Sequence, residues 1–196
     1  MGLYYIEKNR DQSVLAVWED PEGASRKEKR ERERRSVYAL LRIVFGADCI
    51  LDHRPNGQPF LPHLPVHISI AHTHRFTAVL THPQKRVGVD VEYLDRDFSA
   101  VEQRALSDRE ISFLSPNREL RSVQLAILWS AKEALFKCLS QEGVDFSLQM
   151  QVDPFVPQKS GRLCANFLCK DSRNASFFLK YKIIDNHTLV WVFAHC

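Results

Sequence analysis

The chain has 196 residues and a mass of 22.7 kDa, with 44% hydrophobic and 26% charged residues, the ordinary usage of a folded domain rather than a disordered chain. No apolar run reaches the roughly 20 residues of a spanning helix, and the N-terminus lacks the basic and apolar regions of a signal peptide, so neither a membrane partner nor export is expected. The formal net charge of +3 is concentrated in residues 26–35, which carry seven basic and three acidic side chains; this favours one local anion-binding surface over a general nucleic-acid coat.

Taken in order, residues 3–6 and 14–18 read as strands separated by a polar segment. Pro21-Glu22-Gly23 reads as a turn and Ser25 as the N-cap of a helix from Arg26 to Phe45. The first half of that helix is basic, the second half places Val37, Leu40, Leu41 and Val44 at helical spacing, and Gly46 closes it. Residues 52–65 carry Pro55, Asn56, Gly57, Pro59, Pro62 and Pro65, a composition that resists regular structure and suits a site-bearing loop. Strands are expected at 66–70, 76–80 and 87–91, and helices at 99–106, after Ser107-Asp108-Arg109-Glu110, and over 124–138. Beyond Gly143 the pattern predicts strands at 146–152, 163–168, 177–184 and 188–193.

Residues 74–82 and 187–195 match in pattern and length, and each half reads as strands, a helix and a hairpin. The expectation is an α+β fold of two similar α+β subdomains in a pseudo-twofold arrangement, divided as residues 1–87 and 88–196. The five cysteines are odd in number, scattered, and form no CxxC pair, so no disulfide framework or cysteine zinc site is expected and a cytoplasmic setting is the simplest.

Two stretches carry chemistry. On a helix, Trp129, Glu133 and Lys137 fall on one stripe, four residues apart. As a strand, Gly88-Val89-Asp90-Val91-Glu92 points Asp90 and Glu92 to the same side. Three carboxylates without cysteine or histidine suit a hard cation, Mg²⁺ or Mn²⁺, completed by phosphate oxygens of a substrate beside Lys137. Read singly, the acids are solvated strand-end charges and Glu133–Lys137 is a surface helix pair. His67, His72 and His74 lack a nearby acid or cysteine to complete a zinc set. The basic helix admits several readings: a solvated face, a phosphate-binding face, or a docking surface for an acidic protein. Nucleic-acid binding is the weakest, because no aromatic residues interleave with the arginines.

Gly88-Val89-Asp90-Val91-Glu92, followed about forty residues later by Trp129-Ser130-Ala131-Lys132-Glu133-Ala134-Leu135-Phe136-Lys137, resembles the paired signature of the 4′-phosphopantetheinyl transferase superfamily. Asn56-Gly57-Gln58-Pro59, Ile68-Ser69-Ile70-Ala71-His72-Thr73 and Arg104-Ala105-Leu106-Ser107-Asp108-Arg109-Glu110 resemble further family segments in the same order. The match spans residues 26–150, and the form that the chain resembles is the monomeric, double-length, surfactin-synthetase-activating type, whose fold is two similar α+β halves. That resemblance implies a Mg²⁺-dependent enzyme of the holo-[acyl-carrier-protein] synthase kind. It would transfer the 4′-phosphopantetheine group of coenzyme A to a serine of an apo acyl or peptidyl carrier protein, releasing adenosine 3′,5′-bisphosphate. By the same resemblance Asp90, Glu92 and Glu133 match the metal acids, and Glu133 also the base. Lys137 matches the lysine on the pyrophosphate, His72 the histidine on the 3′-phosphate, and Trp129 a packing residue behind the site. Gln58, Arg30 and Arg34 join His72 and Lys137 as candidate coenzyme A contacts. Gln58 stands where the turn usually has lysine, Ala71 where a serine precedes the histidine, and Tyr38 and Ala39 occupy the neighbourhood of a helix arginine. These departures imply looser nucleotide binding with the metal acids intact. The alternative is a non-catalytic or weakened relative that binds coenzyme A or a carrier domain.

Overall fold

Alternating apolar side chains form the antiparallel pair β1 (Gly2–Lys8) and β2 (Val14–Glu19). The computed structural model describes residues 2–21, 26–168 and 174–194. Ser25, the Glu22-Gly23 part of the expected turn, Cys169, His195 and Cys196 lie outside the described residues. Helix α1 spans Arg26–Phe45 and stops at Gly46, whose φ of +73° and N–H bond to the Arg42 carbonyl (2.8 Å) make a left-handed cap. The proline-rich segment contains only the short pair β3 (Asp52–His53) and β4 (Pro59–Phe60), turned at Gly57. Strands β5 (His67–His72) and β6 (Phe76–His82) complete a sheet ordered β1-β2-β6-β5.

The second sheet starts with β7 (Arg86–Tyr93). Helices α2 (Ser99–Ala105), α3 (Asp108–Ser112), α4 (Arg118–Leu139) and α5 (Phe146–Gln149) follow. Strands β8 (Met150–Val152), β9 (Ser160–Phe167), β10 (Ala175–Ile184) and β11 (His187–Ala194) complete a sheet ordered β7-β11-β10-β9-β8. The expected strand at 146–152 is corrected: its first four residues are helical. The Asp145 side chain accepts the Ser147 and Leu148 N–H groups, and the Gln149 N–H returns to the Asp145 carbonyl, so a local cap outweighs the alternating pattern.

Both halves share a topology. In the first, β2, α1 and the hairpin β5–β6 run in order, and β6 pairs antiparallel with β2. In the second, β7 precedes α4, and the later hairpin β10–β11 returns β11 to pair antiparallel with β7. The similar sequence patterns at 74–82 and 187–195 thus fall on β6 and β11, strands in equivalent places. The fold is α+β, layered α1, first sheet, second sheet, α4. Leu15, Val17 and Leu80 meet Val89, Val91 and Leu189 between the sheets, while Ala16 and Val79 face Leu40 and Leu41 of α1. Val190 and Val192 face Leu128, Ala131 and Leu135 of α4. Among the described residues no helix is long and apolar enough to cross a membrane.

Helix α4 is fixed at two points. At Gly88 its backbone rests on β7: a Cβ there would lie 1.8 Å from the Ala134 carbonyl oxygen and 2.9 Å from the Cys138 Cβ. Gly88→Ala must therefore move the helix, and a loss of about 2–3 kcal/mol is expected from overpacking, read as a lower urea midpoint at unchanged slope. At Lys132, which is fully buried, the ammonium donates to Glu110 Oε2 (2.6 Å) and to the carbonyls of Ala105 (2.6 Å) and Phe146 (2.9 Å). Glu110, also fully buried, accepts the Ser107 N–H in a capping box and the Val152 N–H at 2.9 Å. One ion pair ties α4 to α3, α5 and β8.

Candidate functional site

Register decides what faces α4. Gly88, Asp90 and Glu92 lie opposite Val192, Val190 and Thr188 of β11 and present their side chains to the helix, while Val89 and Val91 go to the core between the sheets. The chain directions of β7 and α4 oppose, so Gly88 meets the turn from Ala134 to Cys138, Asp90 meets Lys137, and Glu92 meets Trp129. Lys137 Nζ donates to Asp90 Oδ1 (2.7 Å) and to the Val89 carbonyl (3.2 Å). The Trp129 indole N–H donates to Glu92 Oε1 (2.9 Å), and Arg96 donates to the same oxygen at 2.5 Å. Trp129 was expected only to pack behind the site. It does pack on Phe146, with ring centroids 5.7 Å apart, but it also orients a site carboxylate.

Asp90 is the electrostatic centre. Burial pushes its pKa from 3.8 up to about 7, against the pull of Lys137 and with the help of the neighbouring charges of Glu92 and Glu133. Burial also raises Glu133, partly opposed by Lys137 and reinforced by Glu92. Asp90 Oδ2 is buried without a hydrogen-bond partner. A buried carboxylate oxygen with no hydrogen-bond donor, beside the two further carboxylates of Glu92 and Glu133, fits a hard divalent cation. In their present rotamers the three acids are coupled but not converged: among the described residues no three His, Cys, Asp or Glu side chains are gathered around one point. Asp90 Oδ1 and Glu92 Oε1 are held instead by Lys137, Trp129 and Arg96.

Three clefts contain the residues expected to bind the donor or adjoin the acids. One, of about 230 Å³, lies between the Asn56–Pro59 turn and the end of α4, and is lined by Gln58, Ser69, Phe136 and Lys137 among others. A second, of about 610 Å³, lies between α1 and the end of β5 and is lined by Arg30, Arg34 and His72. Gly57, Pro59 and Ile70 line both. A third, of about 440 Å³, joins His72 to Glu92 and Arg96. The five residues expected to contact coenzyme A thus line two adjoining clefts, one of which contains Lys137 and so reaches Asp90. Burial holds the His72 pKa below its usual value, and Lys137 and Lys29 add to this against the opposing pull of Glu33. The α1 wall is anchored by Asp20, whose buried carboxylate accepts the Ser36 and Thr77 hydroxyls. Ser69 Oγ accepts the Val89 N–H (3.0 Å), linking β5 to the strand that carries Asp90.

Sequence reasoning missed Arg96, Glu33 and the Lys132–Glu110 pair. Arg96 is four residues past Glu92, and Glu33 lies within the basic run, so neither carries a signal apart from its fold. A family model described as the 4′-phosphopantetheinyl transferase superfamily matches residues 86–192, which span β7 through most of β11. Comparison with curated proteins gave no match. The chain belongs to the 4′-phosphopantetheinyl transferase superfamily, whose common chemistry is phosphopantetheine transfer.

Proposed function

From that membership and from the cleft lined by Lys137, the hydrogen-bond partner of Asp90, we propose that the chain transfers 4′-phosphopantetheine from coenzyme A to a serine of an apo acyl or peptidyl carrier protein. The observation that carries this reading is the buried Asp90 carboxylate, one oxygen on Lys137 and the other unpartnered, beside Glu133. The double-length monomeric arrangement, with halves at 1–87 and 88–196, belongs to the same proposal.

In the proposed reaction the serine Oγ forms a bond to the pantetheine-bearing phosphorus. The bond from that phosphorus to the bridging pyrophosphate oxygen breaks, and adenosine 3′,5′-bisphosphate leaves. Mg²⁺ held by Asp90, Glu92 and Glu133 would supply positive charge to the pyrophosphate oxygens when bound, and Mn²⁺ is the natural substitute. Glu133 receives the serine proton, a role that its raised pKa suits. Lys137, already within reach of Asp90, steadies the charge that develops on the phosphate oxygens. Trp129 and Arg96 hold the Glu92 carboxylate in orientation. His72, Gln58, Arg30 and Arg34 line the clefts for the nucleotide portion.

The test is intact-mass spectrometry of apo carrier proteins incubated with the protein, coenzyme A and Mg²⁺. A phosphopantetheine mass increase is expected. Coenzyme A binding with no increase across a fatty-acid and a peptide-synthetase carrier would instead support the non-catalytic alternative.

A pH prediction follows from Asp90. Its folded pKa of about 7 exceeds the usual 3.8, so between these values the folded chain holds a proton that the unfolded chain has lost. Stability contributed by this group therefore falls as pH rises through that window. A cation that binds the ionised carboxylate reverses the loss. Mg²⁺ is expected to raise Tm more at about pH 8 than at about pH 5.5, and Asp90→Asn to abolish that difference. Thermal unfolding with and without Mg²⁺ checks it.

A further inference from the structure

The cleft between α1 and β5 contains a group that the transfer reading does not use. Residues 30, 33, 34 and 37 form one face of α1 at helical spacing, and all four line this cleft opposite His72. Arg30 and Arg34 are exposed at its rim, where water and salt screen them. Glu33 is the inward acid, with its side chain only 14% exposed. Its Oε2 lies 3.8 Å from His72 Nε2, its Oε1 lies 3.6 Å from Lys29 Nζ, and Oε1 is buried with no hydrogen-bond partner.

The imidazole offered to a phosphate therefore already faces a carboxylate. The Asn56–Pro59 turn adds only the neutral Gln58, and Ala71 beside His72 offers no hydroxyl. A phosphate monoester is a dianion near neutral pH. Placed against His72 it would meet the Glu33 charge and compete with it for the imidazole, so the contact gains little. Glu33 Oε1, which faces the Lys29 ammonium at 3.6 Å but accepts no hydrogen bond, is instead an acceptor that suits a neutral donor, such as a ribose hydroxyl or an adenine amine.

We infer that this cleft takes the adenosine end of the donor without a preference for a 3′-phosphate, that 3′-dephospho-coenzyme A serves as well as coenzyme A, and that Glu33 sets this tolerance. The identity of the donor rests on the proposed transfer. With the dephospho donor the same phosphorus–oxygen bond forms to serine, the same pyrophosphate bond breaks, and adenosine 5′-monophosphate leaves in place of the bisphosphate.

The test is calorimetric titration of coenzyme A and 3′-dephospho-coenzyme A into the full chain and into Glu33→Gln, with mass-spectrometric transfer assays run in parallel. The parent is expected to bind the two donors within about fivefold of each other, and Glu33→Gln to shift the ratio at least about fivefold toward coenzyme A. A parent preference for coenzyme A beyond that bound, a ratio unmoved by Glu33→Gln, or no binding of either donor overturns the inference. If the binding ratios behave as expected but neither donor yields transfer, the transfer reading fails and the assignment of the cleft stands.

Discussion

Glu133→Gln will lower the rate of phosphopantetheine transfer by about 10²–10⁴ while coenzyme A affinity stays within about threefold of the parent. The substitution keeps the size and hydrogen-bonding reach of the side chain but removes its charge and its ability to take a proton. Both losses act in the transition state of the proposed reaction, as the serine hydroxyl gives up its proton and charge builds on the phosphate oxygens. In the proposed reading the adenosine end of the donor binds elsewhere, in the cleft lined by His72, Arg30 and Arg34, so ground-state binding would be largely spared. Glu133 also raises the Asp90 pKa, so its neutralisation should bring that pKa down and make the Mg²⁺-dependent rise in Tm less steep with pH. Intact-mass time courses under single-turnover conditions, paired with calorimetry for coenzyme A, separate the two quantities. An equal loss in rate and affinity would assign Glu133 to substrate binding rather than to the chemical step.

Lys132→Met will destabilise the fold by about 3–5 kcal/mol, because it leaves the Glu110 carboxylate buried without its counter-charge. The ammonium uses its three donors on Glu110, Ala105 and Phe146, so the change also strands two carbonyls. Methionine fills most of the volume of the stem, which keeps the loss from being a cavity effect. Adding Glu110→Gln to Lys132→Met should recover part of the loss. The amide removes the stranded charge and its carbonyl oxygen can still accept one of the Ser107 and Val152 N–H groups, although its NH₂ end must then find another partner. Urea denaturation of the two variants and the parent gives the comparison. A double variant no more stable than the single one would show that the carbonyl contacts, and not the ion pair, carry the stabilisation.

Periodicity made most of the framework readable in advance. The limits of α1 follow from a helical pattern bounded by Gly46, and the inward residues of β7 from alternation. The grouping of Asp90 with Lys137 was legible because two local patterns, a strand and a helix face, each left its charges on one side. What was not legible depends on where separate elements meet. Glu33 sits in a charge run that reads as solvated, and only the approach of β5 to α1 turns it toward His72. Lys132 looks like one more surface lysine of a motif until α3 and α5 close over it. The helical turn at 146–149 hid within an alternating sequence because a single cap, Asp145, decided it. The indole bond to Glu92 was missed because an aromatic residue on a helix face ordinarily signals packing alone.

The contact at Gly88 has a bearing on how such a protein can change over generations. Main chain rests on main chain there, and neither surface has rotamers to rearrange. The offset between Asp90 and Lys137 is thereby insulated from substitutions on the outer faces of α1, α2 and α5. Those faces can be rewritten while the spacing of Asp90 and Lys137 is inherited unaltered.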